Sequence, residues 1–199
     1  MNDQLIQSVH EQLKNNSHAV MPYVAIPSNK ELKQIKKMFN REPSELKRMF
    51  QALATIDRYL TEDGLKSTIV NGGIKEHVGS VRKDLPMNST LIQYTFAGIV
   101  VGFQHEDFIL SFCIGRLGLH LERIYVAKDK RGKGLGKMLM DIILDAMDEN
   151  RVSLSTIPTD LKDDNIEGVD SYLGFIRDFY VKRGFVKLKM WEGIIYKYS

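Results

Sequence analysis

Val126-Ala-Lys-Asp-Lys-Arg131-Gly-Lys-Gly134-Leu-Gly136-Lys137 is the stretch on which the fold turns. It is polar, basic and glycine-rich. Before it lies Leu119–Val126, rich in β-branched and aromatic residues, which reads as a strand. After it, Leu135, Met138, Leu139, Ile142, Ile143, Ala146 and Met147 mark one face of an amphipathic helix. The segment is therefore a strand-to-helix loop. Closely spaced glycines let its backbone turn with N–H groups exposed. The helix start adds unpaired donors and the positive end of a dipole. Lys128–Lys137 holds five basic residues and one acid, a local net of +4. This is a cradle for an anion, most naturally a phosphate.

Outward from this loop the chain reads as mixed α/β. Ser28 and Glu31 form a capping-box pattern ahead of a helix carrying Leu32, Ile35 and Phe39. A second helix opens at Pro43, carries Leu46, Met49, Phe50, Leu53, Ile56 and Leu60, and stops near Gly64. Ahead of both, Leu5, Val9 and Leu13 share a helical face, and Ala19–Ile26 is an apolar stretch broken by Pro22. Residues 65–89 offer only a turn signal at Asn71-Gly72-Gly73 and a short strand at Thr68–Val70. Leu91–Ala97, Ile99–Gln104, Asp107–Gly115 and Leu119–Val126 read as an antiparallel meander, with turns at His105-Glu106 and Arg116–Gly118. Val152–Ile157 is a strand, 171–183 a helix, and Phe185–Tyr198 a hairpin turning near Trp191-Glu192-Gly193. The helix after the glycine loop crosses between two strands that would run parallel.

Composition narrows the function classes. The 199 residues are 43% hydrophobic and 27% charged, which fits one domain with a substantial core. No apolar run reaches bilayer length, and the first residues lack a secretory-signal pattern, so a cytoplasmic protein is expected. One cysteine, Cys113, excludes an internal disulfide framework and a CxxC metal site. His10, His18, His77 and His105 have no metal-ligand spacing, so no metal is expected. A net charge of +3 does not mark a nucleic-acid binder.

The loop is not a Walker A motif: Arg131 stands where the first glycine is needed, and Met138 where Ser or Thr is. It is not a Rossmann fingerprint, because Lys137 takes the last glycine's place. What fits is R-x-x-G-x-G at Arg131, Gly134 and Gly136. Further along, Phe179-Tyr180-Val-Lys-Arg-Gly184-Phe185 fits F-Y-x-x-x-G-F. In this order the two motifs resemble those of the GCN5-related N-acetyltransferases, the GNAT superfamily.

The resemblance covers residues 90–199 and implies a single domain over 1–199, with 1–64 as a helical N-terminal part. It implies a mostly antiparallel twisted sheet flanked by helices, two of them N-terminal. Acetyl-CoA is the implied co-substrate. Its pantetheine arm would pair with Leu119–Val126, at Tyr125 and Val126. Its pyrophosphate would sit on Arg131, Gly132, Lys133, Gly134, Leu135, Gly136 and Lys137. Tyr180 is the implied acid for the leaving thiolate, and a backbone N–H near Tyr125 or Val126 the oxyanion donor. Strand alternation places His120, Glu122, Ile124 and Val126 on one face and Leu121, Arg123 and Tyr125 on the other. Glu122 and His120 are then the candidate bases or water-holders. Otherwise Glu122 serves a salt bridge and His120 is a half-exposed strand residue.

One departure concerns the asparagine that the family often places after the strand Val152–Ile157; here Pro158-Thr159 stands there. The stretch Asp160–Asp170 holds five acids and one lysine, either a solvated loop or a rim that attracts a cationic amine. The expected activity is acetyl transfer to a primary amine. The alternative is an inactive acyl-CoA-binding or protein-interaction module. A charged tRNA acceptor is left open by basic residues near Lys30–Lys37 and Arg41–Arg48, although no aromatic–basic pattern supports it. A homodimer is also left open.

Overall fold

Ser28 starts the first helix in the way its spacing predicts. Its side chain accepts from the Glu31 N–H, and the Glu31 carboxylate accepts from the Ser28 N–H at 2.7 Å. Helix α1 (Asn29–Phe39) follows and ends at Asn40, which takes the left-handed conformation (φ 52°). Helix α2 (Pro43–Glu62) begins on its proline and buries Leu46, Met49, Phe50, Leu53, Ile56 and Leu60. Arg41 straps this helical pair to the sheet by donating from Nε and Nη2 to the Arg116 carbonyl, at 3.2 and 3.1 Å.

The computed structural model describes residues 20–21, 23–83, 90–116, 118–156, 178–187 and 194–198. The strands are β1 (Val20–Met21), β2 (Thr68–Lys83), β3 (Thr90–Gln104), β4 (Phe108–Gly115), β5 (Gly118–Val126), β6 (Leu154–Thr156), β7 (Val186–Lys187) and β8 (Ile194–Tyr196). They form one sheet in the order β1-β2-β3-β4-β5-β6-β8-β7. The β5–β6 pair is parallel and the other pairs are antiparallel. Helix α3 (Leu135–Asn150) makes the crossover that the parallel pair requires. The sheet is mixed and mostly antiparallel, as the GNAT-like reading implies.

Two expectations need correction. Asn71-Gly72-Gly73 is no turn: β2 runs through it, with a register shift between Asn71 and Gly73 against β3. The glycines supply a β-bulge, which the sequence cannot tell from a turn until the partner strand is known. Leu91–Ala97 and Ile99–Gln104 are one strand, because Gly98 continues the ladder opposite Gly115. The N-terminal helix at 5–13, the start of the 171–183 helix and the turn near 191–193 fall outside the described residues.

One apolar core joins these layers. Phe103, Leu110, Phe112, Ile114, Leu119 and Leu121 from the sheet meet Leu46, Leu53 and Ile56 of α2 and Leu139, Ile143 and Met147 of α3. At its rim Glu149 of α3 takes Arg58 Nη2 at 2.9 Å and the Tyr59 hydroxyl at 2.6 Å, while Asn150 Nδ2 donates to Thr55 Oγ1 at 3.0 Å. These contacts pin α3, and with it the glycine loop at its N-terminus. Val100 and Cys113, paired across β3 and β4, are buried outside that core.

Candidate active site

Strand β5 carries most of the site, and its alternation is broken. Phe112 pairs with Leu121 but Ser111 pairs with Arg123, so Glu122 is the extra residue of a β-bulge. The bulge resets the faces. Leu119 and Leu121 stand opposite Ile114 and Phe112, and past the bulge Ile124 and Val126 stand opposite Leu110 and Phe108. All four of these β5 residues therefore face the helical core. The uniform alternation that grouped Ile124 and Val126 with His120 and Glu122 is overturned.

His120 and Glu122 do turn to the other side. His120 pairs with Cys113, and its Nδ1 lies 3.0 Å from Ser155 Oγ. Ser111 Oγ donates to Glu122 Oε2 at 2.9 Å. Burial, and secondarily the Glu122 carboxylate, push the Cys113 thiol up to about 12. Cys113 is thus an inert buried thiol rather than a nucleophile.

The bulge falls just past the last described pair of β5 and β6. Among the described residues the β5–β6 ladder runs from Leu119–Leu154 to Leu121–Thr156 and no further. Beyond it, one edge of Glu122–Val126 faces away from β4. Ala127 N–H donates to the Asp107 carbonyl at 2.8 Å, so antiparallel alternation aims the backbone groups of Val126 away from β4 and those of Tyr125 toward it. The Val126 carbonyl there accepts from Arg131 Nε at 3.0 Å. Of the two expected backbone donors, the Val126 N–H points away from β4 and the Tyr125 N–H toward it. The Tyr125 ring lies instead under the Arg131 guanidinium, 5.3 Å from its carbon.

Tyr180 lies near the end of β6 on the helical side. Residues 178–181 are helical. The Tyr180 ring is only 5% exposed and meets Phe185 edge-on at 5.1 Å. Thr156, the last described residue of β6, is the polar side chain beside its hydroxyl. Burial pushes the phenol up to about 12, and the Thr156 side chain offsets part of that rise. The phenol is therefore protonated throughout the physiological range and available as an acid. Sequence reasoning missed Thr156, Ser111 and Ser155, since a lone hydroxyl residue in a strand carries no signal until its neighbours are known.

The glycine loop caps the open end of β5. A short 3-10 turn (Lys128–Lys130) leads from the strand into it. Gly132 and Gly134 have φ of +76° and +86°, and a Cβ built on either meets nothing within 4 Å. Gly134 is the N-cap of α3, with no side-chain cap and no acid in the first turn. Lys133 and Lys137 are exposed. Lys137 opposes the helix dipole there unless an anion lies close by. Gly136 differs: a Cβ there would touch Val126 Cγ2 at an ordinary 3.7 Å. Its freedom is not required by the backbone. Two loop cations are committed elsewhere. Lys130 Nζ pairs with Asp107 at 2.9 Å, and Arg131 braces the strand end.

Residues 92–187, from β3 through β7, match a family model described as an acetyltransferase (GNAT) domain. This segment is a GNAT-type acetyltransferase domain. A solved nourseothricin acetyltransferase is similar at 15% identity, over 57% of this chain and 72% of its own, with a TM-score of 0.30. No curated protein matches. The GNAT segment contains the bulge, the glycine loop and Tyr180, while α1 and α2 precede it. Pro158, Thr159 and the acidic stretch 160–170 lie outside the described residues. Among those described, no group of His, Cys, Asp and Glu is placed to hold a metal, and no helix is long and apolar enough to cross a membrane.

Proposed function

We propose that this GNAT domain transfers the acetyl group of acetyl-CoA to a primary amine by direct attack on the thioester. The observation that carries the reading is a buried, protonated phenol beside the end of β6, next to the bulge of β5. The edge of β5 that faces away from β4 leads into the glycine loop, where Gly132 and Gly134 leave space above the backbone, and this supports the loop as an anion cradle.

The residues divide the work as follows. Backbone N–H groups at Gly134, Leu135 and Gly136, with Gly132 beside them and the charges of Lys133 and Lys137, bind the pyrophosphate. Arg131 fixes the loop against Val126. The Val126 N–H donates to the thioester carbonyl oxygen, where negative charge develops. Glu122, steadied by Ser111, takes the proton of the attacking amine directly or through one water. His120, held by Ser155, lines the same face as a second acceptor. Tyr180 donates its proton to the departing thiolate. Glu122 and Tyr180 come from opposite faces of the sheet, so base and acid flank the thioester. The N-terminal helices belong to the same domain, a reading supported by the core they share with α3 and the sheet. The protein is expected in the cytoplasm.

The test is incubation with acetyl-CoA and a panel of polyamine, aminoglycoside, peptide and lysine amines. Free thiol and mass would be followed. Gain of one acetyl group with stoichiometric thiol release is expected. Binding of acetyl-CoA without transfer to any acceptor would refute the activity and favour a binding module.

A further inference from the structure

Ser155 stands directly opposite His120 in the parallel ladder of β5 and β6, on the face of the sheet that His120 and Glu122 share. Its hydroxyl makes two contacts there. Oγ donates to the Leu119 carbonyl at 3.3 Å and lies 3.0 Å from His120 Nδ1. A serine hydroxyl has one proton, and a carbonyl can only accept. Both contacts are hydrogen bonds at once only if the ring is the donor in the second. His120 therefore carries its proton on Nδ1, and the lone pair of the neutral ring is on Nε2.

We propose that Ser155 is a positioning residue that fixes the tautomer of His120, so that the ring meets the incoming amine with its Nε2 lone pair and takes a proton from it; the inference rests on the acetyl-transfer reading. The substrate this suits is a primary amine that arrives as an ammonium, whose N–H groups are all donors. The opposite tautomer would set a ring N–H against them. One ammonium proton passes to Nε2 and gives an imidazolium whose Nδ1–H stays on Ser155. The nitrogen lone pair so released attacks the thioester carbon. As the C–N bond forms and the C–S bond breaks, a second nitrogen proton goes to Glu122 and the Tyr180 proton goes to the leaving sulfur. Glu122 returns its proton through solvent to the phenolate. His120 returns its proton to solvent, so one proton is released per turnover.

The test reads the ring directly, by nitrogen NMR on isotope-labelled histidine, with the His120 signals assigned by their loss in His120→Gln. With the ring neutral, Nδ1 should be the protonated nitrogen and Nε2 the bare one. Ser155→Ala should lower the ratio of the Nδ1–H to the Nε2–H form about fivefold, the worth of one hydrogen bond. Ser155→Thr keeps the hydroxyl and should restore the ratio. A proton on Nε2 in the wild type, or a ratio unmoved by Ser155→Ala, would overturn the proposal. Kinetics supply the second measurement. Ser155→Ala should lower kcat/KM for the amine about fivefold, with KM for acetyl-CoA little changed, and Ser155→Thr should recover most of the loss. A changed tautomer with unchanged amine kinetics would overturn the role given to Ser155. The expected tautomers in a protein that transfers no acetyl group would instead refute the acetyl-transfer reading.

Discussion

Gly134 and Gly136 flank the same helix start, yet alanine should act on them in opposite ways. At Gly134 φ is +86°, where a Cβ is strained whatever the space around it. The backbone cost is about 1–2 kcal/mol. For a chain of this size that lowers Tm by roughly 2–8 °C. Gly136 lies in the first turn of α3, and its added Cβ would make an ordinary 3.7 Å contact with Val126. Alanine there should stabilise by about 0.5–1 kcal/mol and raise Tm by a few degrees. Binding separates the two again. A methyl at Gly134 enters the empty space over the cradle, so acetyl-CoA affinity should fall by at least about tenfold, the loss of one charge-assisted contact. The assays are thermal unfolding by circular dichroism and calorimetric titration with acetyl-CoA. A Gly134→Ala protein that binds acetyl-CoA like the wild type would refute the cradle. Unfolding of Gly136→Ala would refute the geometry assigned to the helix start.

Three further outcomes follow from the same structure. Gly98→Ala should destabilise by about 1–3 kcal/mol through overpacking, because its Cβ would lie 2.0 Å from Cys113 Sγ; adding Cys113→Ala should recover part of the loss in a urea melt. Glu122→Gln should lower kcat by about 10²-fold or more if Glu122 is the base, and steady-state kinetics at saturating acetyl-CoA would show it; full activity would exclude the role. Tyr180 and Tyr196 are both pushed up to about 12, chiefly by burial. Above pH 10 the unfolded chain releases these protons while the folded one keeps them, so stability should fall as pH rises from 10 toward 12. Denaturant melts across that range would read it, and a flat profile would refute the burial of these phenols.

Helices were the most legible part of this sequence. Ser28 with Glu31, and Pro43 at a first turn, are local chemistry that needs no tertiary partner. The glycine loop and Tyr180 were legible because each pairs a motif with a local reason, positive φ in one and a helix end at Gly184 in the other. The long β2 strand was not. Gly72, Gly73, Lys75 and Glu76 have low strand preference, and only pairing with β3 holds them extended. The face of β5 was misread for a related reason. A bulge at Glu122 changes which side chains share a face, and its presence depends on where Ser111 and Phe112 fall on the neighbouring strand. Ser155 gained meaning only once β6 lay beside His120.

The most direct test of the account compares Tyr180→Phe with the wild type for thiol release at saturating acetyl-CoA, with acetyl-CoA affinity measured on both. The account predicts a fall in kcat of about 10²-fold or more with affinity essentially unchanged. Turnover at the wild-type rate would remove Tyr180 from the chemistry, and with it the proposal that the acetyl group changes hands beside the bulge of β5 and the end of β6.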